Sequence, residues 1–173
     1  MSSLRYITEG SASSVSSFSI TDVFTSDFDI YKVVIDTIDF SNADLFMRFV
    51  NSNGSIIDAS SYDDAVMLQR SYGAFGEVNN VGATSLGSIG FYDSTSGVGA
   101  NKGGATTLYV FNPANSLFYT SAIWQNAGVS GSGTPVRKGV GILKIAESHT
   151  GINFNASSSI LNVRARIYGV RAS

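Results

Sequence analysis

The sequence predicts an all-β fold: an antiparallel two-sheet sandwich of jelly-roll type, with a closed barrel as the alternative, built from about eight to ten short strands. Three observations predict it. Short runs rich in β-branched and aromatic residues recur along the chain, divided by turn signals roughly every ten to fifteen residues. No long segment repeats its apolar residues at helical spacing. The last run, Ile160 to Val170, alternates cleanly: Leu161, Val163, Ala165 and Ile167 share one face, and Asn162, Arg164, Arg166 and Tyr168 share the other. A period of two marks a strand with one buried and one polar face.

Taken in order, residues 1–14 end in the Gly/Ser-rich stretch Glu9 to Ser14, which favours a flexible arm. A single sandwich domain, 15–173, follows. Val15 to Ile20 reads as its first strand. Phe28 to Ile38 is a strong strand, but Val33, Val34 and Ile35 are consecutive, which implies burial on both faces or a bulge. Leu45, Met47 and Phe49 share one face of the next run, and Asn53-Gly54 is a hairpin signal because both residues tolerate positive φ. Asp63 to Arg70 fits a helical turn or a strand, and its strand neighbours favour a strand. Residues 73–105 are glycine-rich and broken, with a short strand at Ser88 to Tyr92 and a loop from Ser94 to Gly104. Thr106 to Phe111 and Phe118 to Trp124 are strands, separated by Asn112-Pro113. Gly128 to Gly133 is a loop. Val136 to Ile145 is a strand in which Gly139 and Gly141 imply a bend or the close approach of another backbone. Gly151 to Phe154 reads as a short connection into the closing strand.

Composition narrows the function classes. At 173 residues the chain makes one domain, able to bury roughly 70% of its unfolded surface without staples. Only 14% of residues are charged, so Ser, Thr, Asn and Gly cover the surface, as suits an assembly component or a protein outside cells. A net charge of -2 with no Lys/Arg block argues against nucleic acid. There are no cysteines, which removes disulfides and thiolate metal sites. The Met1 to Tyr6 start lacks the apolar run of an export signal, and no apolar stretch of about 20 residues could span a bilayer, so no membrane partner is expected.

No motif carries chemistry, and no enzyme, cofactor or metal site is expected. His149 is the only histidine, too few to lead a zinc site, and no G-x-S-x-G elbow accompanies the serines. It stands in a polar connection, Glu147 to Gly151. The Gly97 to Gly104 stretch has neither phosphate-loop spacing. Asp63 with Asp64, or Asp36 with Asp39, are carboxylate pairs whose separation the sequence cannot fix. Among the aromatics Tyr62, Tyr72, Phe75, Tyr92, Tyr109, Tyr119 and Trp124, most are expected in the core. The interface candidates are Tyr6 near the N-terminus, Tyr72 and Phe75 in the loop-like part, and Arg164 and Arg166 on the closing strand.

Two stretches carry a family resemblance. One is Asp29-Ile30-Tyr31-Lys32-Val33-Val34-Ile35-Asp36-Thr37-Ile38 with Leu45-Phe46-Met47-Arg48-Phe49 and the Asn53-Gly54 turn. The other is Thr150-Gly151-Ile152-Asn153-Phe154, Ser159-Ile160 and Arg166-Ile167-Tyr168-Gly169-Val170-Arg171. Together they resemble small β-sandwich virion structural proteins of tailed bacteriophages, especially of marine and cyanophage-like type. The resemblance implies a structural protein with no shared catalytic residues, made in a host cytoplasm and carried on the virion. A lone module with no heptads or fibre repeats implies a capsid decoration, or cement, protein. Its partner would be the major capsid protein, and a homo-oligomer is expected, a trimer suiting a three-fold site. The alternative is a tail-fibre or receptor-binding tip that recognises host surface glycans through loop aromatics.

Overall fold

The computed structural model describes residues 3–40, 43–71, 73–92, 104–128 and 134–171. Tyr72 and the two expected loops, but for their ends, lie outside these. Among the described residues ten strands are formed: β1 Ser3–Ile20, β2 Ile30–Phe40, β3 Ala43–Asn51, β4 Tyr62–Arg70, β5 Gly76–Ala83, β6 Leu86–Tyr92, β7 Gly104–Phe111, β8 Thr120–Ala127, β9 Pro135–Leu143 and β10 His149–Arg171. The protein is all-β and every pairing is antiparallel.

The expected pair of separate jelly-roll sheets is replaced by one continuous sheet. Its strand order is β5-β4-β9-β8-β7-β2-β10-β3-β6, with β1 paired to β10 off this path. The expectation that all strands are short fails at β1 and β10, which run for 18 and 23 residues. Gly151 to Phe154 is no connection but the first part of β10, laddered to β3 and β1. Likewise residues 3–14 form no arm; they pair with β10 from Arg171 to Asn162. Ile7, Ala12, Val15 and Phe18 pack against the core, which gives this Gly/Ser-rich segment a reason to be held.

The single sheet buries itself by folding back. In an extended strand, residues 10 and 20 would stand about 33 Å apart. Yet a Cβ added to Gly10 would collide with the Ile20 side chain, so β1 doubles over between them. The break falls at Ser14, whose φ is 56°, and at the register shift between Val15 and Ser17. Beside it β10 changes partner from β3 (up to Ala156) to β2 (from Ile160). Strands that bend at a bulge and serve both layers are how an orthogonal packing turns its corner. The inner faces then meet: Tyr31, Val33, Ile35, Leu108, Val110 and Trp124 from one half, and Leu45, Met47, Phe49, Leu86, Ile89 and Phe154 from the other.

The alternation expected for the closing strand holds where β10 is described, with Val163, Ala165 and Ile167 buried. Asp63 to Arg70 is a strand, with Tyr62, Asp64, Val66 and Leu68 inward. The Asn53-Gly54 turn forms, with Gly54 at φ 79° and its N–H donating to Asn51 O at 3.0 Å. A Cβ at Gly141 would meet the Leu86 side chain and the Asp63 backbone oxygen, the latter at 3.1 Å, whereas one at Gly139 would first meet the indole of its cross-strand partner Trp124, not a backbone. Phe118 and Tyr119 are not part of β8; they belong to the loop before it.

Polar groups inside the fold have a definite task. Opposite Leu45 and Met47 of β3 stand Gly90 and Leu86 of β6, so three β6 residues, 87–89, face one β3 residue and leave the ladder. Their backbone groups are met by side chains from the opposite layer. Asp64 Oδ2 accepts the Gly87 N–H at 3.0 Å, Asn126 Nδ2 donates to Ser88 O at 3.2 Å, and Thr106 Oγ1 donates to Ile89 O at 2.7 Å. Asp64 Oδ1 takes a further bond from Asn80 Nδ2 on β5 at 2.9 Å. Unpaired buried backbone groups would each cost about 1–3 kcal/mol. Replacing Asp64 by Leu strips acceptors from Gly87 and Asn80, and we expect a loss of about 2–3 kcal/mol in a urea titration. An unchanged midpoint would show that the bulge does not depend on this carboxylate.

Candidate functional site

Strand register gathers one set of outward side chains into rows. Tyr6, Tyr168, Lys32, Tyr109, Ile123 and Val140 are successive cross-strand partners on β1, β10, β2, β7, β8 and β9. The next row is Glu9, Arg166, Val34, Thr107, Gln125, Lys138 and Met67. Where these rows cross β2, β7, β8 and β9 the outer face is hollowed into a groove of about 590 Å³. Tyr109, Thr107, Ile123, Gln125, Lys138 and Asp36 line it. The volume falls in the range of small-ligand sites, roughly 300–1,000 Å³. An aromatic ring beside an amide, a hydroxyl, an ammonium and a carboxylate can stack on a ring and bond to hydroxyl groups.

Asp36 shares the groove face with Val34, two residues before it, and stands at a bulge. Ile35 pairs with Ala165 and Thr37 with Arg164, which leaves Asp36 as the extra residue of β2. The three consecutive apolar residues before it are thus explained: Val33 and Ile35 are buried, Val34 is half-buried at the groove, and the bulge follows. Arg164 grips the Asp36 carboxylate with two bonds, Nε to Oδ1 at 2.9 Å and an Nη to Oδ2 at 3.1 Å. Arg166 pairs with the same carboxylate and with Glu9 at 3.4 Å. Asp36 holds the Arg164 guanidinium above its ordinary pKa by hydrogen bond and by charge.

Of the five expected interface residues, Tyr6, Arg164 and Arg166 come together on the β1–β10 side of this face. Tyr6 is exposed and meets Tyr168 edge-on, ring centres 5.8 Å apart. Phe75 is 60% exposed but sits in the β4–β5 connection, at the other edge of the sheet. Tyr72 lies outside the described residues. Tyr62 and Trp124 are core, whereas Tyr119 is exposed and Tyr109 half-buried. The sequence reading missed the groove itself. In Thr106 to Phe111 both parities carry apolar residues, so periodicity could not say that Tyr109 faces out and Leu108 in.

A second surface lies at one end, where the connections 21–29, 52–61, 112–119 and 144–148 cluster. Their meeting is fixed by backbone bonds: His149 N–H to Pro113 O at 2.8 Å, Val23 N–H to Thr150 O at 2.9 Å and Lys144 N–H to Ser61 O at 2.9 Å. Asn115 Oδ1 accepts the Leu117 N–H at 3.0 Å and shapes the 112–119 loop so that Leu117, Phe118 and Tyr119 all face solvent, Leu117 at 82% exposure. His149 lies beneath, fully buried and at the start of β10 rather than in a polar connection. Its Nδ1 shares a 2.8 Å hydrogen bond with Thr120 Oγ1, and its ring packs on Phe49 at 5.3 Å. Nε2 is 3.8 Å from Glu147, too long for a hydrogen bond.

The chain matches no protein-family model and no curated protein. Among solved structures it is similar to the CBM2 module of the evolved Dit of Lactobacillus casei BL23 phage J-1, at 7% identity and a TM-score of 0.26 over 95% of this chain and 69% of that one. It is also similar to the apo Crh5 transglycosylase, at 9% identity and a TM-score of 0.18 over 93% and 88% of the two chains. The same enzyme in complex with NAG gives 10% identity and a TM-score of 0.17 over 92% and 87%. Likenesses this slight carry no conclusion about function.

Burial pulls the His149 pKa down from 6.5 to about 4, against a smaller opposing effect from the Pro113 backbone. The unfolded chain therefore takes up a proton near pH 6.5 that the folded one refuses until about pH 4. Stability from this residue is complete above pH 6.5 and falls as the pH drops through that window, by about 3 kcal/mol in all. Urea titrations at stepped pH should show a slope that flattens in His149→Gln; an equal slope in both would exclude His149 as its source.

Proposed function

We propose that the chain is a non-catalytic recognition module of a tailed-phage particle, and that its outer groove binds host surface glycans. The observation that carries this is the groove across β2, β7, β8 and β9, where Tyr109 stands among Thr107, Gln125, Lys138 and Asp36. Sugars offer an apolar ring face with hydroxyl groups around its edge. A tyrosine wall answers the first, and planar amide and carboxylate groups answer the second. The site is built on the middle strands of a rigid sheet, so little ordering entropy is spent on binding. The sequence resemblance to virion proteins supplies the setting.

A second reading, a capsid decoration protein seated on the major capsid protein, is favoured by one separate observation. Leu117, Phe118 and Tyr119 form an exposed apolar knuckle that no other described residue covers. Such a protrusion suits a protein pocket better than a sugar. Copy number separates the two readings: hundreds per particle indicate the shell, a handful the tail.

A broad glycan array, including material from host envelopes, tests the first reading. Wild type should bind, and Tyr109→Ala should lose about tenfold in affinity with its fold intact. An array blank for the wild type would sink it. Phe118→Ser should leave glycan binding unchanged but, on the second reading, lower occupancy on particles; full occupancy would reject a role for the knuckle.

A further inference from the structure

The groove has a sign of charge as well as a shape. Lys138 stands on its β9 side, opposite Gln125 of β8 and Met67 of β4. Lys32 borders it on β2, its ammonium 5.9 Å from the centre of the Tyr109 ring. Among the described residues neither lysine has a carboxylate within ion-pair distance. Asp36, the carboxylate in the lining, is already held by both Arg164 and Arg166. Glu9 is engaged by Arg166. Glu77, opposite Met67, lies two strands from Lys138, about 10 Å away.

The wider charge distribution agrees. The connections at the His149 end hold Asp22, Asp27, Asp29, Asp58 and Glu147 against Lys144, a formal charge of -4 (five acids less one base). The whole chain carries -2, so everything else, the grooved face included, sums to +2. Against a neutral ligand two unpaired ammonium groups contribute little beyond hydrogen bonds. Against an anion they attract from both flanks, because like charges along a surface hollow reinforce one another.

We propose that the groove selects acidic saccharides, with a sugar ring against Tyr109 and an anionic oxygen group, carboxylate or sulfate, at Lys138. This rests on the glycan reading and narrows it. Tyr109 on β7 and Lys138 on β9 are two strands and one row apart, about 12 Å, or about two sugar residues along a chain. Lys32 on the other side of Tyr109 would meet the acid group of a further residue.

The test compares trigalacturonic acid with its methyl ester, which keeps the skeleton and removes the charge, by calorimetry on the full chain. A sulfated heparin tetrasaccharide distinguishes sulfate from carboxylate. At low salt the acid trimer should bind about fivefold more tightly than the ester, the span of a good exposed ion pair. That gap should close in Lys138→Gln and in high salt. A sulfate-only preference would keep the acidic class and reject the carboxylate. Equal binding of acid and ester by the wild type, or a gap that survives Lys138→Gln, overturns the inference. If neutral glycans bind on the array and none of these acidic probes does, the charge inference falls alone. If the array is blank, the glycan reading falls first.

Discussion

Backbone hydrogen bonding along β10 is the constraint on which the rest of this molecule depends. A strand has two edges. One edge of β10 is given to β1, and the other is divided, β3 taking its first part and β2 its second. That division allows one sheet to supply two layers. It sets β2, β7, β8, β9 and β4 on one side of the core and β3 and β6 on the other. It also brings both ends of β10 to the same end of the molecule, where His149 meets the loop that follows β7. The groove and the apolar knuckle are consequences of this arrangement: one is the outer face of the larger half, the other a connection at its end.

A folded-back sheet has to finish somewhere, and β6 shows how it is done without loss. Its bulged residues would expose backbone groups to an apolar interior. Asp64, Thr106 and Asn126 meet them from across the core, so the layer stops inside the protein with its hydrogen bonds made. An apolar core could pack in several registers, but these bonds fit only one. They hold the two halves in fixed relation, which keeps the groove's lining residues on strands that cannot slide.

Much of the fold was legible because alternation is local. Val163, Ala165 and Ile167 announced one buried face, and the flanking strands tipped Asp63 to Arg70 toward a strand, which its buried Tyr62, Val66 and Leu68 bear out. What was not legible depended on distant partners. Asn153 and Asn155 look like turn residues, yet Ser19 and Ser17 of β1 pair with them and hold them in the ladder. Gly10 to Ser14 read as an arm because nothing within the segment shows that β10 will be beside it. Phe118 and Tyr119 look like strand residues, but Asn112 at φ 54° and the Asn115 turn keep them outside β8. For the site, Arg164 and Arg166 could be chosen from their strand alone. Tyr109 and Lys138 could not, since their relation exists only through β8 lying between them.

The pairing of Ser3 with Arg171 has a mechanical meaning. The two ends of the described chain leave side by side from the last rungs of the same antiparallel ladder. Tension applied through both would open that ladder one rung at a time, as a zip opens, at low force. A load directed along the strands, on one terminus against the body of the sheet, would act across many rungs at once and be resisted far better. A module of this build is suited to being held by one end and loaded along its strands.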